Sequence, residues 1–249
     1  MSSPLSSPLM ESQTVKVYFI DLDGTLIDSI KAHYAAFNAV FQANGLPIVS
    51  FKKFASLFGY FSEEIIRRLF PKLNKKTVLA LAEQKRRLFI DNYYKKVRLF
   101  PGVNKALAAL SRKAILVLES NASRAEIKKV ARCCKLNMKH FDLILSKENV
   151  KHRKPNPELI KKALELLKKK IKALKETTKT EGKQAKIKII VVGDSIVDVM
   201  LARNAKTVGA RAIAVLIKRK GQELQYKRLG RLRPNFLIKS FKDLIKLQV

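Results

Sequence analysis

The chain has 249 residues, 47% of them apolar and 8% aromatic, a composition that builds a packed core and excludes an intrinsically disordered chain. Lysine and arginine outnumber aspartate and glutamate 52 to 20, a formal net charge of +32, which attracts polyanions over long range and is silent about fold. No stretch is apolar for long enough to span a bilayer, and the two adjacent cysteines, Cys133 and Cys134, suit disulfide geometry poorly, so a reducing compartment is expected rather than a disulfide scaffold.

Residues 1–13, MSSPLSSPLMESQ, are rich in serine and proline and lack the charged start and apolar centre of a secretory signal. They read as a disordered tail, with Met10 as an alternative start, and the chain as cytoplasmic. Residues 15–20, VKVYFI, are a short β-rich apolar run that ends in the polar turn Asp21-Leu22-Asp23-Gly24-Thr25, the signature of a buried strand entering a loop. Ile30, Tyr34, Phe37 and Phe41 then recur at helical spacing over 30–43, and Asn44-Gly45 stops that helix. Short amphipathic segments follow at 51–58 and 63–70, with a turn at Phe58-Gly59-Tyr60-Phe61, and 75–96 reads as one longer helix. No strand signal appears between about 28 and 98, so this block reads as all-helical. Phe100-Pro101-Gly102 punctuates its end.

From there the pattern alternates. Strands are predicted at 114–120, 141–145, 187–193, 211–217 and 236–238, and helices at 103–111, 123–135, 157–175, 196–205 and in the C-terminal SFKDLIKL. Alternation of this kind argues for an α/β fold, a Rossmann-like doubly wound parallel sheet with helices on both faces. The expected division is a core of 14–27 and 99–249, with 28–98 inserted after the first strand as a helical cap. The lysine-rich 168–188 reads as an overlong helix end and a flexible loop.

In an open sheet of this type, ligands sit beyond the carboxyl ends of the strands. The chain puts Asp21 and Asp23 at the first strand end, Ser120 and Asn121 at the second, Lys154 in the loop after the third, and Asp194 at the fourth with Asp198 one helical turn on. Carboxylates cluster only when a cation neutralises them, and hard oxygen ligands suit Mg²⁺. A magnesium site with a lysine and small donors is built for phosphate. Asp21 and Asp23 lie on the same side of an extended segment, so one is placed to attack phosphorus and the other to handle the leaving-group proton. Each element alone is common: a DxDG is often a turn or part of a calcium loop, and GDS at a strand end is often a helix cap. Their order at successive strand ends is what points to catalysis.

DLDGTLIDS (21–29), VLESN (117–121), KHRKPNP (151–157) and GDSIVDV (193–199) resemble the four motifs of the haloacid dehalogenase superfamily. The layout from about 15 to 247, with FPGV (100–103) as the return from cap to core, is similar to its phosphoglycolate phosphatase-like branch with a small helical cap. The resemblance implies Asp21 as nucleophile, forming an aspartyl-phosphate, and Asp23 as acid and then base. It implies phosphate held by Ser120 and the Asn121 backbone, and Lys154 balancing charge. It implies Mg²⁺ bound by the Asp21 carboxylate, the Asp23 carbonyl and Asp194, with Asp198 in support.

Two departures stand out: Glu119 directly precedes Ser120, and Ala205-Lys206 stands where the family often has Ala-Gly. Dehalogenases lack the second aspartate, and no basic pair flanks Gly59 as in the hexose-phosphate mutases. A Schiff-base phosphonate hydrolase needs a cap lysine, for which Lys31 is the candidate. His33, His140 and His152 read as structural or solvated, and Tyr60 and Phe61 as pocket lining or cap packing. The expected activity is hydrolysis of a small phosphomonoester such as phosphoglycolate or a sugar phosphate. The alternatives are a phosphatase acting on or recruited to nucleic acid, and a catalytically silent binding protein. The basic stretches 168–188 and 218–233 have few aromatics, so weak, sequence-independent nucleic-acid binding at low salt is expected.

Overall fold

The computed structural model describes residues 14–177, 185–219, 222–230 and 232–247. The tail reading of 1–13 and most of the loop reading within 168–188 lie outside these residues. β1 (Thr14–Asp21) leads through the turn to a two-residue strand, β2 (Ile27–Asp28). α1 (Ile30–Ala43), α2 (Phe51–Ala55), α3 (Ser62–Leu69) and α4 (Lys75–Leu88) follow, and β3 (Arg98–Leu99) closes the block. Then come α5 (Val103–Ser111), β4 (Ile115–Glu119), α6 (Arg124–Cys133), β5 (Leu143–Leu145), α7 (Glu158–Leu166), α8 (Lys168–Thr177) and β6 (Lys186–Gly193). α9 (Ile196–Asn204), β7 (Ala212–Ile217), α10 (Glu223–Arg228), β8 (Phe236–Ile238) and a 3₁₀ turn at Phe241–Lys246 complete the chain.

Six strands form one parallel sheet in the order β5-β4-β1-β6-β7-β8. The chain winds outward from β1 to β5, then returns to the other side of β1 as β6. The winding direction therefore reverses between β1 and β6, where α/β sheets open a crevice at their carboxyl ends. β1 ends at Asp21 and β6 at Gly193, next to Asp194.

Helices cover both faces, so the central strands are near-continuous apolar runs. Alternate residues feed two separate cores. Tyr18, Ile20, Leu116, Leu118, Ile190 and Val192 pack under α5 and α6. Val17, Phe19, Val117, Ile189 and Val191 pack against α7 and α9 on the other face. The helical block has its own core, in which Phe37, Phe41, Phe54 and Phe58 meet Ile65, Ile66, Val78 and Leu81. The stripe on α1 explains why: Phe37 and Phe41 are buried, and the Phe37 and Phe54 rings lie 5.4 Å apart.

Several local expectations need correction. Residues 75–96 are not one α-helix: a π turn at Phe89–Tyr93, which buries Phe89, and a 3₁₀ turn at Tyr94–Lys96 follow α4. The expected helix 157–175 is interrupted at Leu167, and the C-terminal SFKDLIKL segment is a 3₁₀ turn. The helical block is joined to the sheet by an antiparallel ribbon, Ile27↔Leu99 and Asp28↔Arg98; strands of two residues carry no readable period. α10 was also unanticipated. Among the described residues no helix is long and apolar enough to cross a membrane.

The turn after β1 depends on Gly24, at φ +82°, where an added Cβ would lie 2.1 Å from the Asp194 carboxylate. Gly45 also has positive φ, +68°, but faces open space. Gly45→Ala is expected to cost only the left-handed backbone strain, roughly 1–2 kcal/mol. Gly24→Ala should lower the melting temperature further, because strain and clash add. Equal losses in thermal melts of the two variants would contradict this packing.

Candidate active site

Lys154, delivered by the loop between β5 and α7, is 2% exposed. Its ammonium donates to Asp21 Oδ1 at 2.6 Å, Asp198 Oδ1 at 2.9 Å and Glu119 Oε1 at 3.1 Å. Burial opposes its charge, but the three carboxylates outweigh this and raise its pKa well above the usual lysine range. The acids respond in the opposite sense. Burial, with Asp198, Glu119 and Asp194 adding to it and Lys154 opposing it, holds the Asp21 carboxyl well above its ordinary value. Burial likewise pushes Glu119 up to about 8 and Asp194 up to about 7. Glu119 Oε2 is buried without a hydrogen-bond partner.

The turn after β1 completes the first layer. The Thr25 hydroxyl lies 3.2 Å from Asp21 Oδ2 and 3.4 Å from Asp194 Oδ1. At the start of α9, Ser195 caps the helix, and Asp198 Oδ2 accepts from the Ser195 amide and hydroxyl at 3.1 and 2.6 Å. Asp198 thus bonds Lys154 with one oxygen and the cap with the other. Asp21, Asp194 and Asp198 offer carboxylate oxygens within 4.8 Å of one another. These buried acids outnumber the single ammonium set among them, the charge imbalance that a cation relieves.

Asp23 is held apart from this cluster. Its Oδ1 accepts from the Ser29 hydroxyl at 2.5 Å and lies 3.2 Å from His33 Nε2. Burial alone would raise its pKa, but the His33 and Ser29 hydrogen bonds outweigh burial and leave it below the ordinary value. Behind His33, the ammonium of Lys85 in α4 approaches Nδ1 at 2.7 Å. Lys85 is 3% exposed, between the Phe37 and Phe89 rings at 4.9 Å from each, and burial lowers its pKa. His33 is therefore buried rather than solvated, and it joins the cap lysine to Asp23. Lys31 is exposed on α1, so the cap lysine nearest the site is Lys85 instead.

A cavity of about 240 Å³ lies over these groups. Asp21, Asp23, Ser120, Asn121 and Lys154 line it from the sheet side, and Tyr60, Phe61, Lys85 and Arg86 from the helical block. Tyr60 and Phe61 thus face the cavity. Ser120 Oγ accepts from the Ala122 amide at 3.1 Å, and Asn121 Oδ1 accepts from the Lys154 amide at 3.1 Å. Arg153 crosses from the core to Glu63 of α3 at 3.0 Å. Asp194 and Asp198 sit beneath the cavity rather than on its wall. No described residue of 168–188 or 218–233 is among its lining residues.

Reading the sequence missed His33 and Lys85, which lie 52 positions apart, and the glutamine Gln222, whose amide donates to Asp194 Oδ2 at 2.6 Å. The one available signal was a histidine on the apolar face of α1. Glu119, the departure from the family pattern just before Ser120, has its place through its contact with Lys154.

Glu119 and Asp194 both titrate above their unfolded values, so the folded chain binds their protons more tightly. The stability they contribute is fully present below the unfolded carboxylate range near 4 and is lost as pH rises towards about 8. In chelator, the melting temperature is expected to fall between about pH 5.5 and pH 8.5 by at least about 3 °C, the shift that 1 kcal/mol makes in a chain of this size. Glu119→Gln should flatten that fall. A melting temperature that rises over this range would contradict the buried-acid description.

Residues 18–215 match the family model described as haloacid dehalogenase-like hydrolase. Over 197 residues the chain is 26% identical to the phosphoglycolate phosphatase of Photorhabdus laumondii, covering 77% of each protein. Over a shorter stretch of 104 residues it is 32% identical to 2-deoxyglucose-6-phosphate phosphatase 2 of Saccharomyces cerevisiae, covering 41% of this chain and 40% of that one. The fold is shared with the crystal structure of a hydrolase from Pseudomonas syringae, with a TM-score of 0.71 at 21% identity, covering 94% of this chain and 97% of that one. With the sheet order, the strand-end acids and the family match in agreement, the chain belongs to the haloacid dehalogenase-like hydrolases.

Proposed function

We propose that the chain is a Mg²⁺-dependent phosphatase that hydrolyses a small phosphomonoester through an aspartyl-phosphate on Asp21. The observation that carries this reading is the unequal treatment of two carboxylates on one cavity wall. Asp21 is held between Lys154 and Thr25, and Asp23 is held by Ser29 and His33. Equivalent groups in different surroundings take different roles.

Asp21 is the nucleophile. Lys154 and the Thr25 hydroxyl fix its carboxylate, and Lys154 offsets charge that develops on the transferred group. As Asp21 attacks, the bond from phosphorus to the ester oxygen breaks, and the leaving oxygen takes a proton from Asp23. In the second step Asp23 takes a proton from water, the water oxygen attacks phosphorus, and Asp21 is released. In the resting site Asp23 is ionised; a phosphate dianion beside it raises its pKa, so that it takes up a proton from solvent as the substrate binds and gives that proton to the leaving oxygen. His33 and Lys85 hold its carboxylate in place throughout. Ser120 and the Asn121 backbone are the proposed phosphate donors.

The hard oxygen donors fit Mg²⁺. The Asp21 and Asp194 carboxylates and the Asp23 carbonyl would hold it, with Asp198 in support. When bound, it supplies Lewis-acid polarisation of the phosphate oxygens and neutralises the surplus acids.

The cavity volume supports a small ester, and the names of the two relatives support a phosphorylated acid or sugar as its class. The net charge of +32 supports a second reading, a phosphatase acting on phosphorylated nucleic-acid ends. A turnover screen over phosphoglycolate, sugar phosphates, nucleotides and 5′-phosphorylated oligonucleotides, at low and physiological salt, decides between them. Salt-resistant preference for oligonucleotide ends would favour the second.

Asp21→Asn removes the attacking charge and keeps the shape, so kcat is expected to fall by at least about 10³-fold with a native circular dichroism spectrum. Near-native turnover would contradict the mechanism. Activity is expected to vanish in chelator and return with Mg²⁺ or Mn²⁺. Ca²⁺ should inhibit, because its larger, looser coordination misplaces the nucleophile. Full activity in chelator would remove the metal from the account.

A further inference from the structure

The segment that follows β7 plays no part in the chemistry above, yet it reaches both the acids and the helical block. Gln225, in α10, is fully buried. Its amide nitrogen donates to the carbonyls of Ala55 at 2.9 Å and Phe58 at 2.8 Å, and its carbonyl oxygen accepts from the Ile196 amide at 3.1 Å. Both donor hydrogens are used on the helical block, and the acceptor is used on α9. Ala55 and Phe58 lead into the turn that brings Tyr60 and Phe61 to the cavity. Ile196 opens α9, between Asp194 and Asp198.

Two further contacts seat the same loop. Gly59, at φ +103°, lies so close to Ser195 that an added Cβ would be 2.5 Å from its Cβ and hydroxyl, and the Gly59 carbonyl accepts from Asn121 Nδ2 at 3.3 Å. The rest of the segment is anchored to the acids. Gln222, 2% exposed, donates to Asp194 and accepts from the Tyr226 hydroxyl at 2.9 Å. Arg219 donates to the carbonyls of Gly24 at 2.6 Å and Thr25 at 2.8 Å, with its guanidinium 3.6 Å from the centre of the Phe100 ring.

We propose that Gln225 is a positioning residue that latches the substrate loop 55–61 onto the start of α9, so that one side chain couples closure of the helical block to the geometry of the acidic site. Only a primary amide serves this place. It offers two donors to two carbonyls and one acceptor to an amide N–H. A carboxylate would repel the carbonyls, and an apolar side chain would leave the Phe58 carbonyl and the Ile196 amide without these bonds and the Ala55 carbonyl with only the 3.4 Å bond from the Phe58 amide. Opening the cavity breaks the two bonds to the loop and leaves the bond to α9.

The test compares Gln225→Glu, which keeps the acceptor for Ile196 and loses both donors to the loop, with Gln222→Ala, which disturbs the same segment without touching the loop. Hydrogen–deuterium exchange on the full chain reads the latch directly. Exchange in 55–61 is expected to rise at least about tenfold in Gln225→Glu, a change of 1.4 kcal/mol in the opening equilibrium, and to stay within twofold of wild type in Gln222→Ala. The kinetic arm alone rests on the phosphatase reading: with p-nitrophenyl phosphate as probe, KM should rise about tenfold in Gln225→Glu with kcat changed much less. If Gln225→Glu does not fold, Gln225→Met, which keeps the shape and removes all three bonds, is read in its place. Loop exchange within twofold of wild type, or an equal rise in Gln222→Ala, would overturn the latch. A wild-type chain that turns over no phosphomonoester would sink the proposed function and leave the exchange measurement to decide the latch.

Discussion

The site is organised by one buried ammonium. Lys154 meets Asp21, Asp198 and Glu119 in a place almost closed to water, where unpaired carboxylates could not stay ionised. Those acids come from β1, the end of β4 and the start of α9, with Asp194 alongside at the end of β6. They meet because the sheet reverses its winding direction between β1 and β6. One ammonium does not balance the set. Burial therefore raises the pKa of Asp21, Asp194 and Glu119, and the surplus of buried acids over that one ammonium is a charge imbalance that a hard cation would relieve.

The helical block supplies what the sheet lacks. It covers the acids with aromatic residues, brings Lys85 to His33, and so fixes Asp23 independently of Lys154. Separate supports let two neighbouring carboxylates stand at different pKa values, the condition for dividing nucleophile from acid and base. Most of the positive charge is elsewhere. α8 carries Lys168, Lys169, Lys170, Lys172 and Lys175, away from the cavity, and Lys170 pairs with Asp142. These lysines are not among the residues that line the cavity, so their charge can reach the site only over long range, where salt screens it.

The strands, the helix at 30–43 and the residues at the strand ends were legible because each rests on local pattern: apolar runs, helical spacing, and polar residues where a run stops. The structure sets Asp21 and Asp198 on the Lys154 ammonium, brings an Asp194 oxygen within 4.8 Å of theirs, and places Asp23, Ser120 and Asn121 at the same cavity. What could not be read depends on contacts across long separations. His33 and Lys85 look like an ordinary helical histidine and one lysine among many until α1 and α4 pack. Gln222 and Gln225 lie in a basic stretch whose charge hides two buried amides. The ribbon of β2 and β3 is too short for any period. Glu119 was visible as a departure from the family pattern, but its meaning required the position of Lys154.

The central claim is that phosphate passes through Asp21. Rapid mixing of enzyme with a turned-over phosphomonoester and Mg²⁺, followed by acid quench and borohydride reduction, converts an aspartyl-phosphate to homoserine, which peptide mass spectrometry locates. Homoserine is expected at position 21 and at no other aspartate. Homoserine at another position, or unmodified Asp21 in enzyme quenched during steady turnover with the intermediate accumulating, would contradict it.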